Sequence, residues 1–263
     1  MLSDEQIERH RAGQAALRAD AKRQLVEWVN RGDITKSDPR VVRESLRLLL
    51  EHLASMYGDA AAAAAADFYD ELRASAGVSG RYRAVLAAVG QPATVEKAAH
   101  WAVGPLFGAE PDQAAMLVRA STVLGRWVKT AATETINRSA VADPVGPRVV
   151  RVPRGDNTCA FCIMLASRGD LDGGYGSEWT AQYVSTRDRV ALRRARRGSK
   201  RKPDEYHDDC DCEPVTIFPG DPKPPGWDHE RYSYLYRSAT DAAGTRGDTK
   251  LILATMREMH GLT

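Results

Sequence analysis

Two short knuckles, far apart in the chain, constrain the fold of this protein more than any other feature. The first is Cys159-Ala160-Phe161-Cys162 and the second is His207-Asp208-Asp209-Cys210-Asp211-Cys212. Together they hold all 4 cysteines and one of the 6 histidines. Thiolate and imidazole are the ligands that tetrahedral zinc prefers, and a two-residue gap lets both sulfurs of a tight turn face one ion. If residues 210–212 are extended, Cys210 and Cys212 share a face, because side chains alternate along a strand. Cys159, Cys162 and Cys212 are the preferred ligands, and His207 and Cys210 compete for the fourth place. A closed, sulfur-rich site of this kind is structural, since catalytic zinc keeps one position open. The alternatives are a metal-free reduced cluster or disulfides across the knuckles. The stretch around the knuckles is loop-rich and poor in large apolar groups, so a metal staple suits it.

The redox context follows from the N-terminus. Met1-Leu2-Ser3-Asp4-Glu5-Gln6 is polar and acidic, with no basic region leading into an apolar core, and it reads as lacking a signal peptide. Clustered cysteines in such a chain read as metal ligands before disulfides. With 43% hydrophobic and 27% charged residues in 263, the composition is that of an ordinary soluble globular protein. No window approaches the roughly 18 apolar residues of a membrane span.

The net charge of +2 conceals an asymmetry. Residues 187–202 carry Arg187, Arg189, Arg193, Arg194, Arg196, Arg197, Lys200, Arg201 and Lys202 against Asp188 alone. Removing those nine bases and one acid from totals of 37 and 35 leaves 28 and 34, a balance of −6 elsewhere. The body is mildly acidic and one segment is strongly basic. Such a run is commonly a solvated segment. A run of this kind can also contact nucleic-acid phosphates without reading sequence. Only Tyr183 and Tyr206 flank it, so base stacking has little support.

Residues 3 to about 140 read as helix throughout. After Ser37-Asp38-Pro39, a turn and capping signal, Val42, Leu46, Leu49, Leu53, Met56, Ala60 and Ala63 form one apolar stripe. The alanine run Ala60 to Ala66 would let a neighbouring helix approach closely, and Gly58 is a candidate bend. Further helices are expected from Thr94 to about Phe107, and from Pro111-Asp112 through Leu117, Val123, Leu124, Trp127, Val128 and Ile136. His52 and His100 read as core histidines. The texture changes at Ala142-Asp143-Pro144-Val145-Gly146-Pro147. Arg148 to Val152 reads as a strand entering the first knuckle, and Val215 to Phe218 as a strand leaving the second. Residues 163–206 read as a loop-rich insert. Helices follow from about Asp228 to Ala243 and from Asp248 to His260. The expected class is α+β, mostly α: a helical N-terminal domain (1–143), a small zinc-stapled domain with a short sheet (144–220) and a helical tail (221–263).

With both knuckles in view, the chain resembles the phage Mu F-like family of head morphogenesis proteins. The resemblance rests on Arg154-Gly155-Asp156-Asn157-Thr158-Cys159-Ala160-Phe161-Cys162, then Tyr206-His207-Asp208-Asp209-Cys210-Asp211-Cys212 and Glu213-Pro214-Val215. It covers residues 148–218 specifically and the helical half by general layout. Asp208 and Asp211 stand where other members often carry a proline and a basic residue. The resemblance implies a minor head protein that is portal-associated and enters the prohead. Its partners would be the portal and the major capsid or scaffold protein, with the basic run (Arg193, Arg194, Arg196, Arg197, Lys200, Arg201 and Lys202 above all) reaching packaged DNA or docking on an acidic portal surface. It would be found in the virion head and, during assembly, in the host cytoplasm. Related actinophage proteins are labelled capsid maturation proteases, which is the alternative reading. The residues themselves do not supply that chemistry. No Gly-x-Ser-x-Gly elbow or His-Glu-x-x-His helix is present, and Ser167 with Asp170 and His207 reads as a loop serine.

Overall fold

A computed structural model describes residues 3–31, 34–87, 92–154, 158–167 and 212–262. The fold is mostly helical with one two-stranded sheet among the described residues. In chain order the elements are α1 (Asp4–Asn30), α2 (Pro39–Ser75), α3 (Pro92–Ala102), α4 (Gln113–Ala142), β1 (Arg148–Val152), α5 (Ala160–Ser167), β2 (Glu213–Ile217), α6 (His229–Ala243) and α7 (Thr249–His260). Short 3-10 turns lie at Ile34–Lys36 and Gly104–Phe107. No described helix is long and apolar enough to cross a membrane.

Local chemistry sets most of these boundaries. Ser3 and Gln6 form a reciprocal capping box, each side chain accepting from the other's backbone N–H, at 2.9 and 3.2 Å. Asp112, Asp228 and Asp248 accept from the N–H groups of Ala115, Arg231 and Leu251 and start α4, α6 and α7. Gly244 and Gly261, at φ of 64° and 63°, close the last two helices in the left-handed conformation.

The expectation of helix throughout residues 3–140 is corrected after α2. Residues 82–87 lie outside any helix, and helix side chains take their backbone donors. Ala84 N–H goes to Asp70 Oδ1 at 3.0 Å, Val85 N–H to Ser139 Oγ at 2.9 Å and Ala87 N–H to Thr135 Oγ1 at 3.0 Å. With those donors satisfied, the segment has no need of a helical ladder.

Along α2 the buried line runs Val42, Leu46, Leu50, Leu53, Tyr57, Ala61, Ala65, Phe68 and Leu72. The expected stripe shares its start, but Met56 is 41% exposed and Ala60 and Ala63 face solvent. Strict alternation of four and three drifts about 20° per seven residues on a straight helix, so the buried line takes extra steps of four to stay on one side. α2 continues without interruption through Gly58.

The contacts divide the chain into two units. The first comprises Arg9–Ala66 and Leu86–Thr135. Within it Gln14 donates to the Ala61 carbonyl at 3.0 Å, and Gln24 to the Tyr57 hydroxyl at 2.8 Å. These contacts set α1 antiparallel to α2 and make use of the alanine run. A Cβ on Gly125 would lie 3.2 Å from Lys22 Cε, so the α4 backbone approaches α1 closely there. His52 and His100 are exposed, against expectation, and His52 joins Trp28, Leu49, Leu53 and Arg31 around a surface groove of about 410 Å³. Among the described residues the buried histidines are His10 and His229, and His10 belongs to this unit. Burial, with the nearby positive charge of Arg18, lowers its pKa to about 4.

The second unit comprises Met1–Glu8, Asp67–Val85 and Ile136–Thr263. It holds the sheet, α5, the α6–α7 pair and a buried polar network. Tyr69 packs edge-on against Phe218, just past β2, at 5.6 Å between ring centroids, and against Tyr82 at 6.2 Å. Burial first, and then the Asp143 carboxylate, raise the pKa of the Tyr69 hydroxyl, so it stays protonated and donates to Asp143 Oδ2 at 3.0 Å.

Candidate metal centre

The sheet brings Cys212, the last residue of the second knuckle, to the first. β1 and β2 pair antiparallel, with Arg148 opposite Ile217, Val150 opposite Val215 and Val152 opposite Glu213. β2 begins at Glu213, two residues earlier than expected, so Cys212 enters the sheet directly. Val149, Val150, Val152 and Val215 are all buried, and β1 packs against α5.

The first knuckle is not a tight turn. Cys159 caps α5: Ile163 N–H donates to the Cys159 carbonyl at 3.1 Å and Cys162 N–H to Cys159 Sγ at 3.3 Å. A sulfur thus fills the position that Ser or Asp usually holds. Cys159 and Cys162 are three residues apart in a helical turn and so lie on one side of it. The amide dipoles at that end favour negative charge there.

α5 also overturns part of the expected loop-rich insert. Ala160, Ile163, Met164 and Leu165 are buried in one core with Ala239 of α6 and Ile252 and Met256 of α7. A helix apolar on all sides has no 3.6-residue signal, and eight residues of it cannot be told from a buried strand by pattern. The usable clue was the unbroken run Ala160 to Ala166 straight after the cysteine. At its far end Trp227 Nε1 donates to the Ala166 carbonyl at 3.1 Å. His229 Nε2 and Ser233 Oγ lie 3.2 and 3.3 Å from the Ser167 carbonyl oxygen. Both ends of the short helix are therefore pinned.

Cys162 and Cys212 are fully buried in a single cluster, and Cys159 packs against it. Three of the five predicted ligands thus meet although the chain between them spans half a hundred positions. His207 and Cys210 lie outside the described residues. So do Arg187, Arg189, Arg193, Arg194, Arg196, Arg197, Lys200, Arg201 and Lys202. Among the described residues no group of three or more His, Cys, Asp or Glu side chains is arranged to hold a metal ion. Thiolates are the donors that a thiophilic ion takes.

Two charged residues that the sequence did not mark as site residues belong to this region. Arg151 is 2% exposed, and its Nη1 lies 3.6 Å from Cys212 Sγ. Arg154 follows β1 and ties three segments together. It bonds Asp4, lies 3.5 Å from Glu8 on α1 and donates to the Pro225 carbonyl at 2.7 Å.

Ser167, the serine weighed for protease chemistry, donates to the Met164 carbonyl at 2.8 Å. Ser233 Oγ and His229 Nε2 are 3.2 Å apart, but both also converge on the Ser167 carbonyl. In the tautomer that carries a proton on Nε2, His229 donates to that carbonyl and caps the end of α5.

No curated protein and no solved structure matches the chain. A family model does, over residues 1–239, which takes in both helical units, the sheet, the sulfur cluster and most of α6. The chain belongs to the VG15 protein family, a phage-associated family.

Proposed function

We propose that this is a minor head protein of a tailed phage, acting in head morphogenesis, with the portal as docking partner and the prohead as destination. Membership of a phage-associated family over residues 1–239 carries this reading. The finer Mu F-like assignment rests on the paired knuckles at 159–162 and 207–212. The described residues supply a scaffold: a buried cluster of Cys159, Cys162 and Cys212, framed by a two-stranded sheet and a helix pinned at both ends. Such a module presents a shape. The protease alternative draws nothing from Ser167, whose hydroxyl and carbonyl are both engaged within the fold.

In this reading Cys159, Cys162 and Cys212, with His207 or Cys210, hold one structural zinc ion, which would staple the sheet to α5. The basic run at residues 187–202 serves packaged DNA or the portal as an electrostatic contact, and the major capsid or scaffold protein is a further partner of the chain.

Two measurements test the proposal. Purified proheads are assayed for the protein, and the portal is co-expressed and used as bait. Incorporation in few copies with portal co-purification is expected; absence from proheads together with no portal binding overturns the assembly role. Metal content is measured for wild type, Cys159→Ser and Cys212→Ser. One zinc per wild-type chain, lost in both variants, is expected; folded wild-type protein without metal overturns the staple.

A further inference from the structure

α2 carries more apolar surface than the core covers. Val41 is 62% exposed, Leu48 54% and Met56 41%. Steps of seven and eight put these three on one flank of the helix, the flank that also presents Leu49 and His52. Along that flank α1 and α2 frame the groove of about 410 Å³, a size within the range of about 300–1,000 Å³ of natural ligand sites. All of its walls belong to the first unit. Leu53 is buried, whereas Trp28 and Leu49 are half-buried, so apolar surface lines the groove and reaches solvent.

The rim is mostly cationic. Arg23, Arg31 and His52 are exposed there, with Glu27 as the acid in the lining. Arg23 is engaged by Asp20 at 2.7 Å and lies 4.0 Å from Glu27. Among the described residues no ion pair takes Arg31 or His52. Tryptophan and arginine supply much of the energy of protein interfaces, and an apolar patch rimmed by charge marks a protein-binding surface. Glu27 would repel a run of phosphates, and Val41, Leu48 and Met56 offer nothing to one, so the chemistry favours a polypeptide over nucleic acid.

We infer that this groove docks an amphipathic helix of the portal, with carboxylates that meet Arg31 and His52 and a large apolar side chain seated between Trp28 and Leu49. The name of the partner rests on the assembly reading above; the place and the chemistry rest on the groove. Two antiparallel helices leave between them a furrow in which a third helix seats its ridge of side chains. The surplus apolar flank of α2 then covers the same helix from one side.

Full-length protein and purified portal test both points. Binding is measured at low and physiological salt for wild type, Leu48→Ser, Arg31→Glu with His52→Glu, and Arg246→Glu, an exposed charge reversal outside the groove. Binding about tenfold weaker or more is expected for Leu48→Ser and for the double variant, with wild-type binding for Arg246→Glu and weakening by salt. Wild-type affinity in both groove variants overturns the groove as the docking site and leaves the portal reading intact. Equal weakening by Arg246→Glu reduces the effect to net charge and overturns the groove as well. A wild-type chain that leaves the portal unbound overturns the portal reading, and with it the partner named for this groove. Sedimentation of the same proteins tests the other occupant: a wild-type dimer that the double variant dissolves assigns the groove to a second copy and overturns the portal helix. Should the double variant not fold, Leu48→Ser gives the reading alone.

Discussion

Arg73 Nε donates to Asp143 Oδ2 at 2.8 Å, at a site where the aspartate side chain is 0% and the arginine 7% exposed. The pair joins the last turn of α2 to the end of α4, seventy positions on. The other two guanidinium nitrogens donate to the carbonyls of Val78 and Ser79, at 3.2 and 3.1 Å, so the loop after α2 is held by the same residue. Asp143 Oδ1 accepts the Val145 N–H at 3.1 Å at the turn into β1.

Removing one partner leaves a buried charge unmatched. Asp143→Ala is expected to lower stability by about 3–5 kcal/mol. Arg73→Met with Asp143→Leu is expected to recover much of that loss, because two apolar groups replace two desolvated ions. Urea unfolding of the three proteins checks this; a single variant as stable as wild type would show that the pair contributes little.

His10 makes stability depend on pH. Its folded pKa is about 4 against 6.5 in an exposed chain, so the fold favours the neutral ring. The contribution is complete above pH 6.5 and is lost as pH falls from 6.5 to 4. At about 1.36 kcal/mol per unit, the full loss approaches about 3 kcal/mol. His10→Gln is expected to flatten this part of the profile, read by unfolding at pH 7, 5.5 and 4.5. An unchanged slope in the variant would place the dependence elsewhere.

Gly226 sits at φ 75°, and a Cβ there would lie 3.3 Å from the Arg154 guanidinium carbon. Gly226→Ala therefore meets both backbone strain and the group that joins α1, β1 and the turn before α6. A loss of about 1–2 kcal/mol is expected from the strain alone. Thermal unfolding reads it, and a variant with wild-type stability would show that the turn relaxes freely.

Thr216 Oγ1 is buried with no hydrogen-bond partner among the described residues, on a residue 2% exposed. An unmatched buried hydroxyl costs about 1–3 kcal/mol. Thr216→Val keeps the branched shape that strands favour and discards the orphan oxygen. The unfolding midpoint is expected to rise; a fall would mean that the hydroxyl serves the fold in another way.

The parts that were legible in the sequence are those decided within a few residues. Asp228 and Asp248 announced α6 and α7 through their capping bonds, and Arg148 to Val152 announced β1. The Cys-x-x-Cys spacing marked Cys159 and Cys162 as neighbours, and pairing with Cys212 was expected from ligand chemistry alone. α5 escaped because it is short and apolar on every side, so it carries no periodic signal. His52 and His100 were misplaced because both sit in helices whose burial depends on which neighbour covers them.

Sequence alone thus determined the helical class, the caps, the strand before the first knuckle and the sulfur chemistry of 159, 162 and 212. All of these are fixed by local hydrogen bonding, side-chain period or the identity of the atoms. Tertiary structure decided that Arg151 stands over Cys212, that Arg73 meets Asp143 and that Arg154 gathers α1 to the turn at Gly226. Those pairings cross sixty or more positions. They depend on strand register and helix packing, which no short stretch of residues encodes.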